Sequence, residues 1–280
     1  MFCSDVLSVI LSYFDHDDRI GRVSKEWHRM LRRVTMLRLR TRDTRFVVRL
    51  TDQLIPWEQI IISPNRPYMC SDVYKTLSRP AHWHTSLKTL KIDTVHRVSL
   101  NFLVDVFTNT KVKYVTLVNV DFDHLSSGKV VMPKLKRLTL CGCMCRVSEL
   151  FDLSQVDTIE LRTLFTHTVS LFMAEQQRLK NVYFVLDIAI ADVPGFFDRL
   201  CDCESVRFRQ LLLEGGCSTW RPIKTKIGHL QIDELDFGAP YHVSNFFDVL
   251  KSMQIERITF GKLTPECRRM AEQLPNATVL

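Results

Sequence analysis

Apolar and polar residues follow each other along this chain in a short motif, ideally Leu-x-x-Leu-x-Leu, that returns about every 21–30 residues. The clearest copies are Leu87–Ile92, Val112–Leu117 and Leu135–Leu140. Weaker ones are Val156–Leu161, Leu179–Phe184 and Cys203–Phe208, and two late ones are Ile232–Phe237 and Ile255–Phe260. In each copy the last two apolar positions flank a single polar one, which is the period of a strand with one face buried. A fixed period in this range predicts a solenoid, in which one small unit per period stacks on the last.

Between these strands lie apolar stretches that suit helices: 98–107, 193–200 and 243–250. Ser99 and Ser244 are sensible N-caps for two of them. Phe196-Phe197-Asp198 and Phe246-Phe247-Asp248 form a second repeat, independent of the strands. Strand followed by helix, many times over, predicts an α/β fold: a right-handed solenoid with parallel strands on the concave face and helices on the convex face. Val34–Leu39 and Trp57–Ile62 read as degenerate repeat strands, with Pro56, Pro64, Pro67 and Pro80 marking loops around the second. Pro265–Leu274 reads as a final capping helix.

If the apolar positions face inward, the polar ones between them line an exposed sheet surface. Thr139, Glu160, Glu234 and Asp236 fall on it, and its middle carries Arg137, Arg162, Arg207 and Arg209 with Tyr114 and Tyr183. Arginine and tyrosine are enriched at binding hot spots, and arginine can hold a carboxylate or phosphate with two parallel bonds. As a whole, this face predicts partner binding.

The first forty residues follow a different pattern. Ser4 can cap a helix with Asp5 in its first turn, and Leu7, Ile10, Leu11 and Phe14 form one apolar stripe. A second helix is expected from about Arg19 to Arg33, with Val23, Trp27, Met30 and Leu31 apolar. Helices this short must pack on the repeats, on a partner, or on both.

Composition narrows the partners. The net charge is +7, and residues 1–50 hold eleven Lys/Arg against six Asp/Glu. That permits an acidic partner or a nucleic acid, but no interleaved aromatic platform accompanies the basic run, so a solvated junction on a basic protein is the favoured reading. No run of 18 apolar residues exists, so no membrane span is expected. The apolar segment Val6–Phe14 lacks a basic leader and is flanked by Asp5, Asp15, Asp17 and Asp18, which argues against a signal peptide. Without one, the nine cysteines read as reduced thiols of a cytoplasmic or nuclear protein. Cys141, Cys143 and Cys145, like Cys201 and Cys203, form tight clusters, but a zinc site wants pairs spaced by two to four residues plus two further ligands, and burial explains them better. His82 and His84 read as a polar loop. No phosphate loop, nucleophile elbow or His-Glu-x-x-His occurs. No metal or cofactor is expected, and the chain reads as no enzyme.

The residues Asp5–Asp15, followed by Arg22-Val23-Ser24-Lys25-Glu26-Trp27, resemble an F-box, with Ile10, Ser12, Tyr13, Val23 and Trp27 on its better-recognised positions. The segment from about 85 to 263 resembles the leucine-rich-repeat family in its irregular, F-box-associated form. The resemblance implies a helical motif over 1–40 and a repeat solenoid over 41–280. It further implies a non-catalytic substrate receptor of an SCF-type ubiquitin ligase. Leu7, Ile10, Leu11, Phe14, Val23 and Trp27 would hold a Skp-family adaptor and, through it, a cullin. A target protein would lie on the concave repeat face. Two other readings remain at this point: a leucine-rich-repeat scaffold with no ligase role, and a basic solenoid that binds nucleic acid.

Overall fold

The computed structural model describes residues 36–39, 58–63, 86–93, 98, 100–120, 122, 129–142, 151–152, 155–163, 179–190, 192–200, 202–214, 223–238 and 243–280. The chain is mixed α/β and divides into two compact units, Met1–Lys136 and Arg137–Leu280. The two helices expected at the N-terminus, the expected boundary near residue 40, Ser99, Cys143, Cys145, Cys201, His82 and His84 lie outside the described residues.

In the first unit, β1 (Met36–Leu39), β2 (Gln59–Ile62), β3 (Thr89–Asp93) and β4 (Tyr114–Val118) form parallel pairs in that order. Both degenerate strands expected before residue 63 are thus present. Their register is regular: Leu37 lies beside Ile60, Ile60 beside Leu90, and Leu90 beside Val115. Leu90, Ile92, Val115 and Leu117 are buried, as the alternation predicts. Neighbouring parallel strands need a crossover, and α1 (Leu100–Asn109) lies between β3 and β4 in sequence. It buries Leu100, Phe102, Leu103, Val106 and Phe107 on one stripe. A two-residue strand, β5 (Val130–Val131), follows β4. Asn119, just after β4, has φ of 50°, a left-handed turn conformation that asparagine tolerates better than most residues.

The second unit is a longer version of the same plan. Its elements are β6 (Arg137–Cys141), β7 (Phe151–Asp152), β8 (Thr158–Thr163), β9 (Leu179–Ile190), α2 (Val193–Arg199), β10 (Cys203–Leu213), β11 (Lys226–Phe237), α3 (Val243–Ser252), β12 (Gln254–Lys262), α4 (Pro265–Ala271) and β13 (Ala277–Val279). Strands β6, β8, β9, β10, β11, β12 and β13 lie side by side in that order, every pair parallel. One buried row runs Leu138, Ile159, Val182, Val206, Leu230, Ile258; the next runs Leu140, Leu161, Phe184, Phe208, Ile232, Phe260.

Aromatic packing supports these rows. Phe184 stacks on Phe208 with ring centroids 4.7 Å apart, and Phe196 and Phe197 of α2 close over them. Phe246 and Phe247 of α3 do the same toward Phe237 and Phe260. The repeated Phe-Phe pair is therefore a core plug, and the aspartates after it, Asp198 and Asp248, are exposed. Helix starts follow local chemistry. The Asp192 carboxylate accepts from the Gly195 backbone N–H at 3.0 Å, and Thr264 Oγ1 accepts from that of Cys267 at 3.3 Å. Pro194 and Pro265 occupy the first turn, where a missing N–H is harmless. Ser244 is not a cap, because α3 already begins at Val243.

One repeat copy was misplaced by sequence. Ile227, not Ile232, lies beside Cys203 and Ile255, so the copy in β11 is Ile227–Ile232. The strand is 12 residues long and its inward rhythm breaks after Ile232, where burial resumes at Leu235. β10 makes the same three-residue step from Phe208 to Leu211, and its register with β9 shifts at this point. Such an irregularity bends the strand and restarts its alternation. Among the described residues, no helix is long and apolar enough to cross a membrane.

Candidate interaction surface

On the opposite, polar side of the second unit's strands lie two cross-strand rows. One runs Arg137, Thr158, Asn181, Ser205, His229, Arg257; the other Thr139, Glu160, Tyr183, Arg207, Gln231, Thr259. Parallel neighbours sit about 4.8 Å apart, so side chains in one row can touch, as Asn181 does Thr158 and Arg257 does His229.

The Glu160 side chain is 4% exposed. A carboxylate there needs partners. Arg137 pairs with Oε2, and Arg162 Nε lies 2.6 Å from Oε1, so both oxygens are engaged. Burial pushes this carboxyl's pKa up, but the two guanidiniums outweigh that and hold it below 4.5. Glu160 and Thr139 were expected to be exposed on this face. They point that way but are buried, Glu160 beneath the two arginines that bond it.

A second cluster spans β10 and β11. Arg207 Nε and a terminal nitrogen lie 3.1 and 2.7 Å from Asp233 Oδ2, while Gln231 Nε2 donates to Asp233 Oδ1 at 2.8 Å. Further along, Gln210 donates to Asp236 at 2.9 Å and Lys262 to Glu234 at 2.5 Å. The Glu234 bond raises the pKa of the exposed Lys262 ammonium.

The third cluster is His229, Arg257 and Thr259. An Arg257 terminal nitrogen lies 3.0 Å from His229 Nδ1, and His229 Nε2 lies 2.9 Å from Thr259 Oγ1. A guanidinium can only donate, so Nδ1 accepts and the proton of the neutral ring sits on Nε2, directed at Thr259. Burial, and then the Arg257 charge, lower the imidazole pKa below 6.5. This cluster borders an open depression at the starts of β10–β12, lined also by Glu204, Lys226, Gly228 and Glu256.

Of the expected target-binding residues, Arg137, Arg162, Tyr183, Arg207 and Arg209 gather on this surface. Tyr114 belongs to the first unit, where it is 46% exposed at the start of β4. Arg209 is exposed and has no carboxylate partner among the described residues. The expected adaptor-binding residues Leu7, Ile10, Leu11, Phe14, Val23 and Trp27 lie outside the described residues. His229, Gln231 and Asp233 were missed because the β11 copy was misplaced. The signal that would have found them is the Ile-x-x-Leu-x-Ile of Ile227–Ile232. Cys203 and Cys267 are buried in the core. No family model matches the chain, and no curated protein matches it.

Proposed function

We propose that this chain is the substrate receptor of an SCF-type ubiquitin ligase. The segment N-terminal to β1 acts as an F-box that docks on a Skp-family adaptor. The rest is a right-handed leucine-rich-repeat solenoid whose strand face holds a target protein. The observation that carries the proposal is the row-by-row register of parallel strands, each with its two buried motif residues beside those of the next. That arrangement is what a leucine-rich repeat requires, and the F-box resemblance precedes it in sequence.

The mechanism is proximity. Holding a target beside the ubiquitin-loaded conjugating enzyme raises the effective concentration of an acceptor lysine, with no bond chemistry on this chain. The cytoplasm or nucleus is where such a complex would work.

Co-purification with a Skp-family adaptor tests this, beside Leu11→Asp. A carboxylate in that apolar contact is costly. Binding by wild type that is lost in a folded variant supports the reading; no wild-type binding removes it. A second reading, a repeat scaffold without ligase role, is favoured by Phe2 and Cys3, which stand where the F-box pattern usually has Leu-Pro.

A further inference from the structure

The arginines on the polar face of the second unit do more than neutralise its acids. Glu160 and Asp233 have both oxygens engaged. The guanidiniums around them do not have their donors exhausted. Each carries five N–H groups, Arg137 and Arg162 are 46% and 55% exposed, and Arg207 is half exposed. Arg209 adds a fourth charge with no carboxylate partner among the described residues. These four cations surround the saturated carboxylates of Glu160 and Asp233, with Tyr183 in register between Glu160 and Arg207, while Asp236 and Glu234 further along β11 are engaged by Gln210 and Lys262.

The fixing of these groups matters as much as their charge. Glu160 holds Arg137 and Arg162 from below, from two adjacent strands, so little side-chain entropy is lost when an anion arrives. Arg162 and Arg209 each lie two residues beyond the Glu160–Tyr183–Arg207 row, separated by β9. Two strand spacings are about 10 Å, and one three-residue turn of an extended polyproline II segment, which brings side chains three apart back to the same face, rises about 9 Å.

We propose that this face binds an extended acidic segment of a protein partner, with side-chain carboxylates or phosphates held by Arg137 and Arg162 and by Arg207 and Arg209. Acidic residues spaced three apart fit the two clamps. The proposal rests on the reading of this face as the target-binding surface and gives that target its chemistry. A single-stranded nucleic acid is the competing occupant. It is disfavoured because Tyr183 is the one Phe, Tyr or Trp in these rows and His229 is tied to Arg257 and Thr259, whereas strands of nucleic acid need stacking platforms.

The test is fluorescence anisotropy of the full chain with a labelled oligoglutamate peptide of about ten residues, at about 50 mM salt where ionic contacts are strongest. Arg137→Lys and Arg162→Lys keep the charge and remove the planar fork; each is expected to weaken binding about tenfold. Arg209→Gln removes no bond within the described structure, so folding is not at issue, and is expected to weaken binding about threefold. Arg268→Gln, the same charge change on exposed α4, should alter binding less than about twofold. No peptide binding, lysine variants equal to wild type, or tighter binding of an oligouridylate of equal length would each overturn the proposal. Adaptor co-purification reads the N-terminal segment alone. Its failure with peptide binding intact sinks the ligase reading and leaves the clamp, and the reverse pattern sinks the clamp only.

Discussion

Replacing Glu160 by glutamine keeps the shape and removes the charge at a 4% exposed position held by two arginines. Hydrogen bonds to charged groups contribute about 1.5–3 kcal/mol each, and a fully buried ion pair broken on one side costs about 3–5 kcal/mol. Here the guanidiniums are about half exposed and can regain water, and the amide oxygen can still accept one weaker bond. The expected loss for Glu160→Gln is therefore about 2 kcal/mol near neutral pH. The pH dependence makes the prediction sharper. The folded pKa lies below 4.5, so the unfolded chain binds the proton more readily. The carboxylate's contribution is complete above about pH 4.5 and disappears as the pH falls through the depressed folded value. Wild type and Glu160→Gln should thus differ near neutrality and converge in acid. Urea unfolding followed by circular dichroism across pH measures this. Equal stability at neutral pH, or a gap of constant size down to about pH 3, would refute the reasoning.

Other expectations follow from single contacts. A methyl on Gly261 would sit 2.3 Å from the Asp233 carbonyl oxygen, so Gly261→Ala must shift β12 against β11 and should lose about 1–3 kcal/mol. On Gly238 a methyl would meet the flexible Glu214 side chain at 3.3 Å and the Leu213 carbonyl oxygen at an ordinary 3.5 Å, so Gly238→Ala should be tolerated; equal losses in unfolding experiments would contradict this. Phe208→Ala opens the stack on Phe184 and should cost about 3–5 kcal/mol, with Phe208→Leu costing less, by the same measurement. The His229 imidazole should titrate below 6.5 by NMR, and Arg257→Gln should move it part of the way back. Because that folded pKa is lowered, the stability it supports is complete above about pH 6.5 and declines as the pH falls toward the folded value; a midpoint above 6.5 would exclude the Arg257–His229–Thr259 arrangement.

Much of the sheet was legible because one rule governs it. A strand with one buried face must alternate, so Leu90 and Ile92, Leu138 and Leu140, or Val206 and Phe208 announce both their element and their orientation. The same rule misplaced the β11 copy. Ile232, Leu235 and Phe237 satisfy the spacing too, because the irregularity restarts the alternation, and that change of phase depends on neighbouring strands rather than on local sequence. Glu160 fails for a related reason. Alternation tells which way a side chain points, but its burial is set by Arg137, 23 residues away, and no local pattern contains that. The short strands β5, β7 and β13 carry too few residues to display any period. Of the candidate surface, the arginines were legible as outward positions, while their pairing with Glu160 and Asp233 was not.

The most direct test of the central claim, that one end of the chain docks the adaptor while the strand face stays available for a target, is hydrogen exchange with and without a Skp-family adaptor. The account predicts new protection over residues 5–14 and 22–27 and none over β8–β12. Protection on those strands, or no change along the N-terminal segment at saturating adaptor, would contradict it.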